Sequence, residues 1–305
     1  MSFLLGRPAV KILLGLFFLV SAVLKFLAMD SFEIYIYSFH FFSLNASFMI
    51  ARLAIILEVI LGIGLISNTL HKVYWWGSLA MLTGYTLLLL YALYIGRTDS
   101  CHCFGDFIQL DPKQSLIKNG VLIFIFLMIY NSEELETPLR WPFFFLNIMA
   151  STIAVFVISP PDNYTPNYDP EHVVQMELFE ETLDQPPFVN MNLREGKKVL
   201  CFFSTSCEYC EMAARKLSLM QRFYGFPAKN ITCVFVGTSL GVARFYKEAG
   251  TPAYRYILCD DIVKVLEIID GNVPVIVFME NGEVVHEYGF RNMREDEIKA
   301  FFEEK

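Results

Sequence analysis

The chain has 305 residues, 55% of them hydrophobic, with a formal net charge of −8, and its mean hydropathy is +0.44. An ordinary soluble enzyme is roughly 45–50% apolar even with glycine counted, so composition places part of this chain in lipid. The acidic balance excludes nucleic-acid binding, which needs a basic footprint, and seven cysteines at this length do not make a disulfide-stapled scaffold.

The apolar excess is concentrated before Pro160, and the chain beyond it is charged and acidic. This predicts an α-helical transmembrane domain over 1–159, a linker over 160–172 and an α/β domain over 173–305. A helix needs about 20 mostly apolar residues to cross the hydrocarbon. Five segments are candidates: Ala9–Met29, Phe48–Ser67, Val73–Ile95, the shorter Leu116–Tyr130, and Trp141–Ser159. Aromatic residues cluster near several ends, as at membrane interfaces (Tyr35, Trp75, Trp76, Tyr94, Trp141). The first segment reads as a span rather than a cleaved signal, because Lys25 closes its apolar core and no clear small-residue cleavage site follows.

Lys25, Arg52 and Glu58 are ionisable groups at or near membrane depth. Such groups are costly in lipid and mark a function or a pairing. Glu58 is expected to pair with Lys25 or Arg52 and hold the bundle together, or the three line a quinone pocket or proton path. Lys and Arg are missing from the first loop, Asp30–Ser47, and from Ala150–Leu193, while Arg7, Lys11, Lys72 and Arg140 lie on the other side. That bias predicts a multi-pass protein of a bacterial-type inner membrane with its C-terminal domain in the periplasm; Arg97, Lys113 and Lys118 argue the other way. Pro160–Pro170 is rich in Pro, Asn, Asp and Tyr and reads as a stiff linker.

In the second half, Lys198–Ser204 reads as a buried strand, Cys207–Phe223 as a helix and Ile231–Val236 as a strand. Leu240–Gly250 is helical, Tyr256–Cys259 a strand and Ile262–Ile269 helical. Val275–Met279 and Val284–Tyr288 flank a Glu280-Asn281-Gly282 hairpin signal, and Arg294–Glu304 closes as a helix. This order predicts a mixed sheet covered by helices.

Two cysteine motifs carry the chemistry. Cys207-Glu208-Tyr209-Cys210 follows a strand and opens a helix, whose N-terminus favours a thiolate. The spacing allows a disulfide across the first turn; the alternative is half of a zinc site, although the other cysteines of this half are scattered. Cys101-His102-Cys103 lies in a polar segment between spans. A disulfide between residues so close forms a small strained ring, and strained disulfides are labile and oxidising. His102 could help ionise a neighbour. A soft-metal site, for copper or zinc, is the alternative reading. Two spans separate the motifs, so both are expected to face one compartment and to exchange thiols. Cys201, Cys233 and Cys259 sit in strand-like runs and read as buried structural thiols. His40, His71, His172 and His286 have no companions at ligand spacing and read as surface or interface residues.

Residues from about Val189 to Lys305 resemble the thioredoxin family: strand, CxxC, helix, Val273-Pro274 before a strand, Asn-Gly hairpin and last helix come in that family's order. The resemblance implies a cis-proline at Pro274 beside the active-site disulfide, with Cys207 as nucleophile and Cys210 as resolving thiol. Ser206 and Cys201 depart from it, standing where thioredoxins have a tryptophan and a buried acid.

Residues from about Arg7 to Tyr130 resemble the MauE/DoxX group of small membrane proteins. The matching pieces are Gly15-Leu16-Phe17-Phe18 through Lys25-Phe26, Glu58 with Gly62 and Gly64, Cys101-x-Cys103-Phe104-Gly105, and Asn119. This implies a four-helix core, to which the chain adds a fifth helix. It also implies maturation of disulfide-bearing periplasmic proteins on the MauE side, or a quinone-linked subunit on the DoxX side. Together these readings give a membrane-bound thiol–disulfide oxidoreductase whose partners are the lipid bilayer, an extracytoplasmic client protein with cysteines, and a candidate quinone pool.

Overall fold

A computed structural model describes residues 2–97, 99, 101, 105, 107–108, 110–131, 137–162, 174–186, 188–259 and 262–303. The chain divides into two compact units, residues 1–42 with 46–161 and residues 43–45 with 162–305. His102, Cys103, His172 and most of the expected linker lie outside the described residues.

The described residues of the first unit hold six helices: α1 (Ser2–Leu27), α2 (Met29–Tyr37), α3 (Leu44–Ser67), α4 (His71–Tyr94), α5 (Pro112–Met128) and α6 (Arg140–Ile158). Four are long and apolar enough to cross a bilayer: Pro8–Leu27 within α1, then α3, α4 and α6. Their outward residues, among them Leu13, Leu57, Leu87, Leu146 and Val157, are exposed hydrophobics that suit contact with lipid tails. Inward, Leu14, Phe18, Ile55, Leu61, Leu82 and Phe126 share one core. This unit is multi-pass membrane protein.

α5, expected as a span over Leu116–Tyr130, has 17 residues and starts earlier. Asp111 accepts from the Gln114 amide at 2.7 Å, the Gln114 side chain accepts from the Asp111 amide at 3.1 Å, and Pro112 opens the first turn. At about 1.5 Å per residue the helix is about 26 Å long, at the lower limit for a crossing. It nevertheless runs beside α4 along most of its length. Asn119, midway along α5, donates to Thr86 Oγ1 at 3.2 Å. At the C-terminal end, Trp75 Nε1 donates to the Phe126 carbonyl at 2.7 Å and His71 Nε2 lies 3.1 Å from the Ile129 carbonyl. His71 is therefore buried at a contact between helices and stops one of them, which excludes the surface half of its surface-or-interface reading.

α6 runs back the other way. Phe144, near its start, packs on Tyr74 at the start of α4. At its far end the Ser159 and Pro160 carbonyls accept from Arg52, near the start of α3, at 2.7 and 2.9 Å. The segment Asp30–Ser47, expected as a loop, contains α2, whose buried residues include Phe32, Glu33 and Tyr35.

The second unit starts with α7 (Met176–Leu183) and a short 3-10 turn, Phe188–Met191, then β1 (Lys197–Ser204) and α8 (Glu208–Tyr224). β2 (Ile231–Val236), α9 (Ser239–Ala249), β3 (Arg255–Leu258) and α10 (Ile262–Ile268) follow, then β4 (Val275–Glu280), β5 (Glu283–Tyr288) and α11 (Glu295–Glu303). The sheet order is β3-β2-β1-β4-β5. β1 pairs parallel with β2 and antiparallel with β4. Strand alternation fixes the two faces: Leu200 and Phe202 pack with Phe179 and Ile268 of α7 and α10, while on the other Phe203 stacks on Phe245 of α9 and Phe235 meets that ring edge-on. Asn281 and Gly282 both have positive φ, as a two-residue hairpin requires. The Val273-Pro274 peptide is cis, and the register pairs Val275 with Phe202 near the end of β1 that leads to Cys207. This is an α/β domain of thioredoxin-like fold.

Candidate functional site

The CxxC sits where the strand–helix junction was expected. β1 ends at Ser204, and the turn is held by the Thr205 amide donating to the Val236 carbonyl at 3.1 Å and the Cys207 amide donating to Ser204 at 3.2 Å. Thr205 packs where Gly237 has no side chain; a Cβ there would lie 2.0 Å from Thr205 Oγ1. Cys207 is the N-cap of α8, and its sulfur accepts from the Cys210 amide at 3.2 Å. Both cysteines are free thiols.

Their environments differ. Cys207 is half-buried, and its pKa is lowered to about 7. The chief cause is the hydrogen bond from the Cys210 side chain, joined by the Cys210 and Tyr209 amides; burial and Glu208 oppose it. Cys210 is fully buried on the inward face of α8, and burial pushes its thiol far up, with the Cys207 sulfur adding to the effect. One thiol is thus a nucleophile near neutral pH and the other is held protonated. Between them Tyr209 is exposed, its ring 5.4 Å from that of Phe290.

Cys201 and Cys233 face each other across β1 and β2 and are buried, and burial pushes the Cys201 thiol up. Cys259 is only half-buried. No zinc-type grouping around Cys207 is present among the described residues.

In the first unit Cys101 is buried, 3% exposed, against Tyr35, Phe39, Leu89 and Ala92. Its sulfur lies 2.9 Å from Ser115 Oγ in the opening turns of α5. Its amide donates to the Leu110 carbonyl at 3.1 Å. Arg97 braces the approach, with its guanidinium 4.5 Å from the Phe39 ring centroid and a bond to Ser38 Oγ at 2.7 Å. Gly105 has φ +61, and a Cβ there would lie 2.4 Å from the Leu24 carbonyl oxygen, so only glycine fits at this position against α1.

The three ionisable groups separate into two pairs. Lys25 pairs with Glu58 and also donates to Ser21 Oγ at 2.8 Å. Tyr85 donates to Glu58 Oε1 at 3.1 Å. Arg52 pairs instead with Glu33 of α2. Sequence reading did not single out Glu33, Tyr85 or Ser115; an acid inside the apolar stretch before Arg52 was the available signal for Glu33.

An activated thiol at a helix N-cap, a buried partner thiol and a thioredoxin-like domain joined to a helical membrane unit define a thiol–disulfide oxidoreductase-like membrane protein. The sequence profile of the family described as methylamine utilisation protein MauE matches residues 4–131. Protein TlpB of Flavobacterium psychrophilum is 25% identical over 342 aligned positions, covering 92% of this chain and 90% of its own. A solved structure of a secreted Mycobacterium tuberculosis disulfide oxidoreductase homologous to E. coli DsbE aligns with 36% of this chain and 81% of its own, at 18% identity and a TM-score of 0.28.

Proposed function

We propose that this protein is a thiol–disulfide oxidoreductase that passes electrons between the Cys101/Cys103 loop of the membrane unit and the Cys207/Cys210 pair, and so acts on extracytoplasmic protein thiols. The observation that carries the reading is the contrast at α8: Cys207 is accessible with its pKa near 7, while Cys210 is buried and protonated. In the exchange step the Cys207 thiolate attacks one sulfur of a disulfide. That S–S bond breaks, the other sulfur leaves as a thiolate, and a mixed disulfide to Cys207 remains. Cys210 then loses its proton, attacks the Cys207 sulfur and releases the partner thiol, leaving Cys207–Cys210 oxidised. Run in reverse, the same steps oxidise a client.

The internal relay draws support from the course of the helices. α5 starts beside Cys101 and α6 returns to the end of the bundle where α3 begins. The chain therefore leaves the first unit at the end that carries Cys101. Tethering then gives an effective concentration of roughly millimolar if the linker spans the gap. The absence of Lys and Arg from Ala150–Leu193 supports a periplasmic C-terminal domain.

The test is thiol trapping of full-length Cys210→Ala in native membranes, followed by mass-spectrometric disulfide mapping. The expected product is Cys207 bonded to Cys101 or Cys103. Recovery of Cys207 solely on other proteins would sink the relay and leave the membrane unit as an anchor.

A further inference from the structure

In the proposed exchange the Cys101/Cys103 loop ends in the opposite redox state, so a second partner must return it. Cys101 is buried, 3% exposed, and a partner sulfur reaches a buried thiol through a space that the thiol lines. The first unit holds such a space, a cavity of about 140 Å³ whose lining includes Phe32, Phe39, Ala54, Tyr85, Leu88 and Cys101. Phe41 and Phe42 also line it and are exposed, which brings its rim to the surface at the turn between α2 and α3.

The wall is almost wholly carbon and sulfur. Lys25 and Tyr85 turn their polar atoms elsewhere: Lys25 pairs with Glu58 and donates to Ser21 Oγ at 2.8 Å, and the Tyr85 hydroxyl donates to Glu58 Oε1 at 3.1 Å. The occupant must therefore be apolar. An apolar cavity of about 150 Å³ stays dry and takes one benzene-sized molecule, so this one suits a single ring. Its wall suits a ring in shape as well, since Tyr35 and Phe39 already meet edge to face there, with centroids 5.1 Å apart. An acyl chain would seat only its tip and would have no use for a thiol. A mixed disulfide holds its two Cα atoms about 4.4–6.8 Å apart, which puts the residue beside the partner's cysteine within reach of the cavity.

We infer that the cavity is the specificity pocket of the loop, seating a phenylalanine side chain next to the cysteine of a second protein dithiol that exchanges at Cys101. The inference rests on the exchange reading. In the direction that reduces the loop, the partner's thiolate attacks the Cys101 sulfur of the oxidised loop. The Cys101–Cys103 bond breaks, Cys103 leaves as a thiolate and takes a proton, and a disulfide between Cys101 and the partner remains. The partner's second cysteine gives up its proton, attacks the partner sulfur of that disulfide and frees Cys101, which is protonated in turn. The partner dithiol has lost two electrons and become a disulfide, and the loop has gained them. Tyrosine fits less well than phenylalanine, because its hydroxyl would exchange water for an apolar wall.

The experiment uses the full-length protein with Cys103→Ser, Cys207→Ser and Cys210→Ser, in nanodiscs. The probes are short peptides with Phe, Tyr or Ala next to a single cysteine that carries thionitrobenzoate. Attack by Cys101 releases thionitrobenzoate, read by absorbance, and peptide mapping locates the adduct. The Phe peptide should label Cys101 about 10-fold or more faster than the Ala peptide, through burial of one ring, and faster than the Tyr peptide. Ala54→Phe and, separately, Leu88→Phe fill the cavity and should slow the Phe peptide to the rate of the Ala peptide. The peptide series needs no change in the cavity, so it decides even where a filling variant fails to fold. Equal rates for the three peptides overturn the inference and leave exchange at the loop standing; cross-linking of a diazirine-bearing fatty acid at the cavity would then give it to a lipid chain. A Tyr peptide as fast as the Phe peptide also overturns it, as attraction to the bilayer surface, and so does a Phe advantage that survives both fillings. No labelling of Cys101 by any peptide removes exchange at the loop together with the pocket.

Discussion

Cys207 and Cys210 stand one helical turn apart and are chemically opposite, because the N-cap sulfur collects hydrogen bonds that its partner, facing the core, cannot. With its pKa lowered to about 7, Cys207 is half thiolate near neutrality, and that fraction falls as pH drops through 7 and saturates above about 8. In the reduced full-length protein, alkylation of Cys207 by iodoacetamide should therefore rise with pH around a midpoint near 7 while Cys210 stays unmodified; peptide mass spectrometry reads both. A Cys207 midpoint near the ordinary thiol value would remove the N-cap account. Gly105→Ala belongs to the same scale. The new Cβ would meet the Leu24 carbonyl at 2.4 Å, so the backbone at 105 must shift from α1, and the Cys207 adduct with Cys101 or Cys103 should fall in yield while Cys207 alkylation stays unchanged. What sequence made legible here was local: two cysteines at fixed spacing after a strand, and a proline before another. Lys216 was not legible. It is on α8, fully buried, and its ammonium donates to the Phe290 carbonyl at 3.1 Å, a partner 74 residues away.

α2 shows the same limit for an element. Met29–Tyr37 follows α1 almost without a break, and its apolar residues gave no sign that the chain turns there. Its role is fixed by Arg52, which pairs with Glu33 and also takes the Phe48, Ser159 and Pro160 carbonyls, so one guanidinium ties α2, α3 and the end of α6. The sequence marked Arg52 as costly at membrane depth, but the partner lies 19 residues back in a segment read as loop. Removing one member of a buried pair strands the other charge, at a cost of about 3–5 kcal/mol, whereas replacing both with apolar groups is often close to neutral. Arg52→Met should thus lower the thermal midpoint of the detergent-solubilised protein sharply, and Arg52→Met with Glu33→Leu should recover most of the loss. A double variant no more stable than the single one would mean that the carbonyl bonds, rather than the ion pair, hold these three elements.

For the whole molecule, everything proposed about exchange turns on α5, the one helix whose length leaves its crossing open. Counting spans gave an even number between the motifs only if α5 crosses. The contacts of α5 are in keeping with a crossing. Asn119 bonds to Thr86 and Trp75 to the Phe126 carbonyl, so α5 lies beside α4 from the level of Thr86 to that of Trp75. α6 then starts beside Tyr74 and ends beside Arg52, completing a return. A helix that lies beside a span in this way, with Ile117, Val121, Phe124 and Leu127 exposed on its outer side, has lipid as the natural neighbour of that side. A crossing by α5, as the proposed exchange requires, would set a definite sidedness. In right-side-out vesicles, single cysteines introduced as Asp99→Cys and Asn192→Cys, in a background with the native reactive cysteines replaced, should react alike with a membrane-impermeant maleimide. Asn131→Cys should react only after permeabilisation, or the reverse if the orientation is inverted. If Asp99→Cys and Asn131→Cys label from the same side, α5 does not cross, the two cysteine motifs face opposite compartments, and direct exchange between them is topologically barred, whatever the reactivity of Cys207.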